Sequence, residues 1–143
     1  MSAVVRTEPF LPAPIARARI ADFEQELQKL PAEYRLTFDN IHDFADGVYA
    51  RSLLLPAGSL LTGKIHKTRH FFVVMSGSCT VVDSDGVRKL LVAPYLGVTE
   101  PGVKRAVHVH EDCIWTTFHR TDSTNPDDIE RDLTTNDFDE VPR

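Results

Sequence analysis

Two histidines, His66 and His70, stand four residues apart inside GSLLTGKIHKTRHFFVVMSG, residues 58–77. Alternate side chains of an extended chain share a face, so Thr62, Lys64 and His66 point one way and Gly63 and Ile65 the other. If that face lines a barrel, an ammonium group and an imidazole aim into its mouth. Neutral imidazoles bind divalent transition metals, which makes His66 and His70 candidate ligands. Two are too few, because closed and catalytic centres take three or four protein ligands. His110, His108 and His119 are the candidates for a third. His108 and His110 alternate onto one face, opposite Arg105, Val107 and Val109. A strand that turns Arg105 inward therefore turns that pair outward unless a bulge intervenes.

The cations around these histidines pull the chemistry another way. Lys64 or Arg105 beside a divalent ion costs Coulomb energy unless an anion lies between them. With His66, His70 and Arg51 they would form a basic pocket in a chain whose net charge is -5. Arginine grips a carboxylate or phosphate with two parallel hydrogen bonds, and lysine acts as a point charge. The candidate ligand-binding set is Lys64, His66, His70, Arg105 and Arg51 around a small anionic ligand. It would work with one divalent transition metal (zinc, iron, manganese or nickel) or with none. The competing reading pairs Lys64 and Arg105 with carboxylates at a barrel rim. Lys67, Arg69, Lys104 and Arg120 read as solvated loop charges. The chain has no Ser-His-Asp order, phosphate loop or spaced carboxylate pair, so no residue is assigned a catalytic role.

Short strands must position these groups. YRLTF, GVYARSLLL, SLLTGKIHK, HFFVVMSG, SCTVVDS, VRKLLVA, YLGVTE, RAVHVH and CIWTTFH are rich in Val, Leu, Phe and Thr. Turn signals separate them, among them Asp46-Gly47, Ser76-Gly77, Asp85-Gly86 and Pro101-Gly102, with Glu111-Asp112 as the turn before the last strand. Nine strands with no helix between them predict an all-β sandwich or barrel. Cys113, Trp115, Thr117 and His119 share one face of the final strand; Ile114 and Phe118 on the other suit the core. His42 falls in a turn-rich segment and reads as a surface residue.

Helices flank the strands. Ile20, Phe23, Leu27 and Leu30 fall at helical spacing within residues 15–30, and Pro31 stops the pattern. Asn125 predicts a helix cap, with Pro126 first and Asp127 and Asp128 in the first turn of a short helix to Leu133. The expected organisation is an N-terminal arm and amphipathic helix over 1–34, a barrel over 35–122, and a short helix with an acidic tail over 123–143.

A chain of 143 residues, 42% hydrophobic, suits one domain with a real core. Its negative charge argues against coating nucleic acid. No apolar run is long enough for a transmembrane helix, and the first residues lack a secretory pattern, so a cytoplasmic protein is expected. Cys79 and Cys113 read as buried free thiols.

The spacing from Lys64 to Gly77 resembles the first motif of the cupins, which are jelly-roll β-barrels. In that frame Lys64 and His66 occupy its two histidine positions and His70 its glutamate position. TEPGVKRAVHVH approaches the second motif, with Arg105 at its histidine position. YARSLLLPAG, LTGKIHK, PGVKRA and HEDCIWTTFHRT together look like a family of small cupin-fold proteins encoded by phages and prophages, over roughly residues 38 to 135. This resemblance implies a cupin-type jelly-roll barrel and no assigned reaction. Two functions are expected to compete. One is a cupin barrel that binds a small anionic ligand, with or without a metal at His66 and His70. The other is a non-catalytic phage-encoded accessory or interaction protein that uses the barrel as a rigid dimeric module. A homodimer is expected in both, since exposed sheet edges invite strand pairing.

Overall fold

The computed structural model describes residues 12–35 and 37–141, so most of the expected N-terminal arm lies outside the described residues. Helix α1 (Ala13–Gln28) carries Pro14 in its first turn, where a missing N–H is tolerated. It buries Ala16 and Ile20 and leans mainly on β3 (Leu60–Thr62). Leu30, expected to close the apolar stripe, lies beyond the helix and is exposed.

The other strands are β1 (Asp39–Ala45), β2 (Val48–Leu55), β4 (Ile65–His66), β5 (His70–Asp83), β6 (Arg88–Val92), β7 (Tyr95–Thr99), β8 (Arg105–Arg120) and β9 (Thr134–Thr135). All pair antiparallel. The main sheet runs β1-β2-β8-β5-β6, with β3 on β8 and β7 on β5; β4 and β9 form a small second sheet. Helix α2 (Pro126–Leu133) begins as its sequence predicts. The Asn125 side chain accepts from the backbone N–H groups of Asp127 and Asp128 at 3.0 and 3.2 Å.

Two features differ from the expected strand map. The first strand is DNIHDFA rather than YRLTF. All seven of its residues are exposed, and β1 is an edge strand held by its register on β2, so no burial pattern marks it. The second difference is continuity. HFFVVMSG and SCTVVDS run together as β5, and RAVHVH and CIWTTFH run together as β8, with Glu111 and Asp112 inside the strand. Gly77 explains both mergers. Its φ is +77°, and a Cβ placed there would lie 2.1 Å from the Asp112 carbonyl oxygen. The chains cross at a bulge instead of turning, and the β5–β8 register shifts between Val74 and Cys79.

The bulge also switches which side chains face inward. Before it Phe72 and Val74 are buried; after it Cys79 and Val81 are. These pack with Leu55, Leu91, Val109, Cys113 and Trp115 into one core, and Phe72 stacks on Trp115 at 4.6 Å with the planes 3° apart. The inner face of the last strand is thus the one carrying Cys113, Trp115 and His119, whereas Ile114 and Phe118 are only half-buried. That reverses the expected assignment. Cys79 and Cys113 are free and buried in this core.

Candidate metal centre and anion cavity

Three elements meet at one end of the barrel. β4 contributes His66, the first residue of β5 contributes His70, and the end of β8 contributes His119. One ring nitrogen from each lies within 4.8 Å of the others. The ring centroids are 4.4 Å (His66–His70), 4.5 Å (His70–His119) and 5.2 Å (His66–His119) apart.

Hydrogen bonds orient two of the rings. The Nδ1–H of His70 donates to the Thr68 carbonyl at 3.0 Å, which leaves Nε2 as the lone-pair atom. His119 Nε2 and Thr117 Oγ1 are 3.0 Å apart, while His119 Nδ1 is buried with no hydrogen-bond partner among the described residues. With Nε2–H donating to Thr117, Nδ1 keeps a bare lone pair. A buried unpaired nitrogen is costly, so the site fits an additional ligand. A tetrahedral ion with bonds of 2.0–2.1 Å sets its nitrogens roughly 3.4 Å apart, so the three rings would have to draw closer to hold one.

The electrostatics keep the imidazoles neutral. Burial, then His70, His119, Arg51 and Arg105, push His66 down to about 3. Burial, then His70 and Arg51, push His119 down to about 4. Burial also lowers His70 and outweighs its hydrogen bond to Thr68, with Arg105 acting in the same direction. At neutral pH all three present lone pairs without first losing a proton.

Beside the triad lies a cavity of about 330 Å³ that reaches Arg51, Lys64, His66, His70 and Arg105, all five of the sequence candidates. Lys64 pairs with Glu130 of α2, as the rim reading expected. Arg105 takes part in none of the ion pairs formed among the described residues. It donates to Thr99 Oγ1 at 2.7 Å and lies 4.8 Å from the Phe72 ring centre. Burial holds its pKa below the ordinary value, opposed by the charges of Asp83 and Asp85. It stays charged at neutral pH. Arg51 reaches Asn40 Oδ1 at 3.3 Å.

His108 and His110 sit on the outer face of β8, with rings 4.6 Å apart and His110 Nε2 2.6 Å from Thr80 Oγ1. Neither joins the triad. Lys104 is not a solvated loop charge: it is 6% exposed and bonds Glu24 of α1 at 2.6 Å. Its own loop looks solvent-facing in sequence, and only the docking of α1 covers it. Thr117, which the sequence places with His119 on one face of the last strand, hydrogen-bonds that histidine and orients it. One residue at the site escaped the sequence reading as a participant. Tyr49 is buried with its hydroxyl 2.6 Å from His42 Nδ1, and with His42, His66 and His119 it lines a second cleft of about 180 Å³ under α2. Nothing local in sequence marks it.

No family model matches the chain, and no curated protein matches it. Solved structures do. KdgF from Halomonas sp. aligns with a TM-score of 0.53 at 12% identity, covering 67% of this chain and 88% of that one. A salicylate 1,2-dioxygenase from Pseudoaminobacter salicylatoxidans, in adducts with gentisate, aligns at 0.52 and 18% identity, covering 73% of this chain and 30% of that one. Protein NMB1881 from Neisseria meningitidis aligns at 0.51 and 12% identity, covering 70% of this chain and 97% of that one. Likeness at such identities is likeness of fold. The architecture is a cupin-type jelly-roll barrel with an N-terminal helix and a short C-terminal helix.

Proposed function

We propose that this protein is a cupin barrel that binds a divalent transition metal through His66, His70 and His119 and holds a small anionic ligand beside it. The observation that carries the reading is the convergence of three neutral imidazoles, one of which has a buried nitrogen without a partner. Arg51 and Arg105 supply the positive charge that an anion would meet. An ion held by the triad would act as a Lewis acid toward an oxygen of that ligand. Thr68 and Thr117 orient their histidines, and the apolar cavity wall limits water around the ligand.

The test is elemental analysis after incubation with zinc, iron, manganese or nickel and exhaustive dialysis. Near-stoichiometric metal in the wild type, lost in His66→Ala, His70→Ala and His119→Ala but kept in His108→Ala, is expected. A wild type that retains none of the four metals refutes the metal site.

A second reading, a rigid module that works as a homodimer, is favoured by the outer face of the sheet. Phe71 and Leu96 are 55% and 64% exposed there, and Met75, Val98, Leu90 and Val92 extend the patch. Monomeric proteins seldom expose such a run, and a second copy would cover it symmetrically. Sedimentation should show a dimer that Leu96→Glu dissociates; a monomeric wild type at high micromolar concentration removes this reading.

A further inference from the structure

Arg105 is set in surroundings that specify the kind of anion. Its guanidinium lies 4.8 Å from the Phe72 ring centre and 6.0 Å from that of Trp115, and those two rings are themselves stacked. An arginine over aromatic faces has its planar edge left to present, and that edge matches the two oxygens of a carboxylate. Thr99 Oγ1 takes one of its five donors. The lining charges are Arg51, Lys64 and Arg105 against Glu130, and Glu130 already pairs with Lys64. Among the described residues Arg51 and Arg105 are in no ion pair, so two cations remain for a ligand.

The rest of the cavity argues against a polar ligand. Phe38, Leu53, Leu55, Leu61, Val103, Val107 and Trp115 make most of its wall, and the uncharged hydrogen-bonding side chains are Asn40, three threonines, the His66 and His70 imidazoles and the Trp115 indole N–H. A sugar or polyol would leave hydroxyls unpaired against these walls, at a cost for each one. A free phosphate would find a guanidinium edge but would leave the apolar part of the cavity unfilled. At about 330 Å³ the space is near the lower end for ligand sites, which limits the occupant to a small molecule.

We infer that the ligand is a small monocarboxylate with an apolar body, its carboxylate held by the edge of Arg105 and its body against Trp115 and the leucines. This deepens the anion-binding reading above and rests on it, but not on the metal. The protein has one tryptophan, and it lines the cavity, so the unmodified chain reports occupancy by its own fluorescence.

Metal-free protein is titrated with cyclohexanecarboxylate, cyclohexanecarboxamide and inorganic phosphate while Trp115 emission is followed. Cyclohexanecarboxylate is expected to give a saturable change, with the amide and phosphate each weaker by about tenfold or more, the range of one charge-assisted pair. Arg105→Gln should weaken the carboxylate by a similar factor, and Arg105→Lys, which keeps the charge and loses the fork, should weaken it as well. Arg88→Gln, on an exposed position of β6, should leave it unchanged. Equal binding of acid and amide, unaltered binding in Arg105→Gln, or no response to the acid at millimolar concentration each overturns the inference. These wild-type arms hold even if Arg105→Gln does not fold. Phosphate bound through Arg105 with the acid inert overturns it too, yet leaves the anion-binding reading standing. Metal uptake, measured on the same preparations, reports separately on the histidine triad.

Discussion

The backbone of His66 pairs with that of Thr134, so the chain after α2 forms the strand partner of a residue in the histidine triad. The Lys67 N–H extends the contact by donating to the Leu133 carbonyl at 2.8 Å. β4 is only two residues long, and its backbone is held by β9 on one side and by the Gly102 N–H, which donates to the His66 carbonyl at 2.9 Å. The C-terminal unit is thereby part of the site's scaffold, although it lies outside the main sheet.

Ile129 is the one buried residue of α2 and fastens that unit. Ile129→Ala should cost about 2–4 kcal/mol by its lost burial and cavity, read by urea denaturation. It should also weaken metal binding in a chelator competition, because β9 no longer holds His66 in register. Asn125→Ala should cost about 1 kcal/mol through the lost cap and affect metal binding less. Unchanged metal affinity in a folded Ile129→Ala protein would separate the C-terminal unit from the site.

Acid should destabilise the metal-free protein well above the pH range of ordinary carboxylates. His66 and His119 are held near 3 and 4 in the folded chain, against about 6.5 when exposed. Their folded values are depressed, so between those limits the unfolded chain binds more protons. The associated stability is complete above pH 6.5 and is lost as pH falls toward 4 and 3. Each histidine contributes a slope of about 1.4 kcal/mol per pH unit inside its window. Urea midpoints from pH 7.5 to 5 should fall, and His66→Gln should flatten the curve.

Lys104 and Glu24 tie α1 to the barrel, and Thr62 Oγ1 also donates to Glu24 at 2.5 Å. Burial raises the Glu24 carboxyl, but hydrogen bonds from Lys104 and Thr62 with the Lys104 charge outweigh it, leaving it below its usual value. Glu24→Ala strands a buried ammonium and should cost about 3 kcal/mol, at the lower end for a broken buried pair because Glu24 is partly exposed. Glu24→Leu with Lys104→Met should recover most of it. Thermal and urea unfolding of the single and double variants measure the difference.

Gly77→Ala should be among the most damaging changes. It places a Cβ against the Asp112 carbonyl at a positive φ, where β5 and β8 lie against each other. Loss of soluble folded protein, or destabilisation beyond about 2 kcal/mol, is the expected result. A Gly58→Ala control has a similar φ but open space around it and should cost less.

The strand-rich middle, the Asp85-Gly86 hairpin and the capped start of α2 were legible because turn and cap chemistry acts over a few residues. The basic cavity was legible in part: Arg51, Lys64, Arg105, His66 and His70 were all singled out by type and spacing, and all five reach one cavity. Three things were not legible. The choice of His119 over His108 and His110 depends on which face of β8 is inner, and strand register across the sheet decides that. The inward parity of β5 changes at the Gly77 bulge, so alternation read along HFFVVMSGSCTVVD points the wrong way on one side of it. Lys104 looks solvated until α1, distant in sequence, brings Glu24 over it.

By itself the sequence determined the all-β class, the helices at either end, and the basic, histidine-bearing residues available to a site, because these follow from local periodicity, turn residues and side-chain type. The tertiary structure alone decided which imidazoles converge, that Arg105 lies over aromatic rings and in no ion pair among the described residues, and that a C-terminal strand supports His66. Those outcomes depend on register, bulges and contacts between distant segments, and in each of them one residue's shift moves a side chain from the barrel interior to solvent.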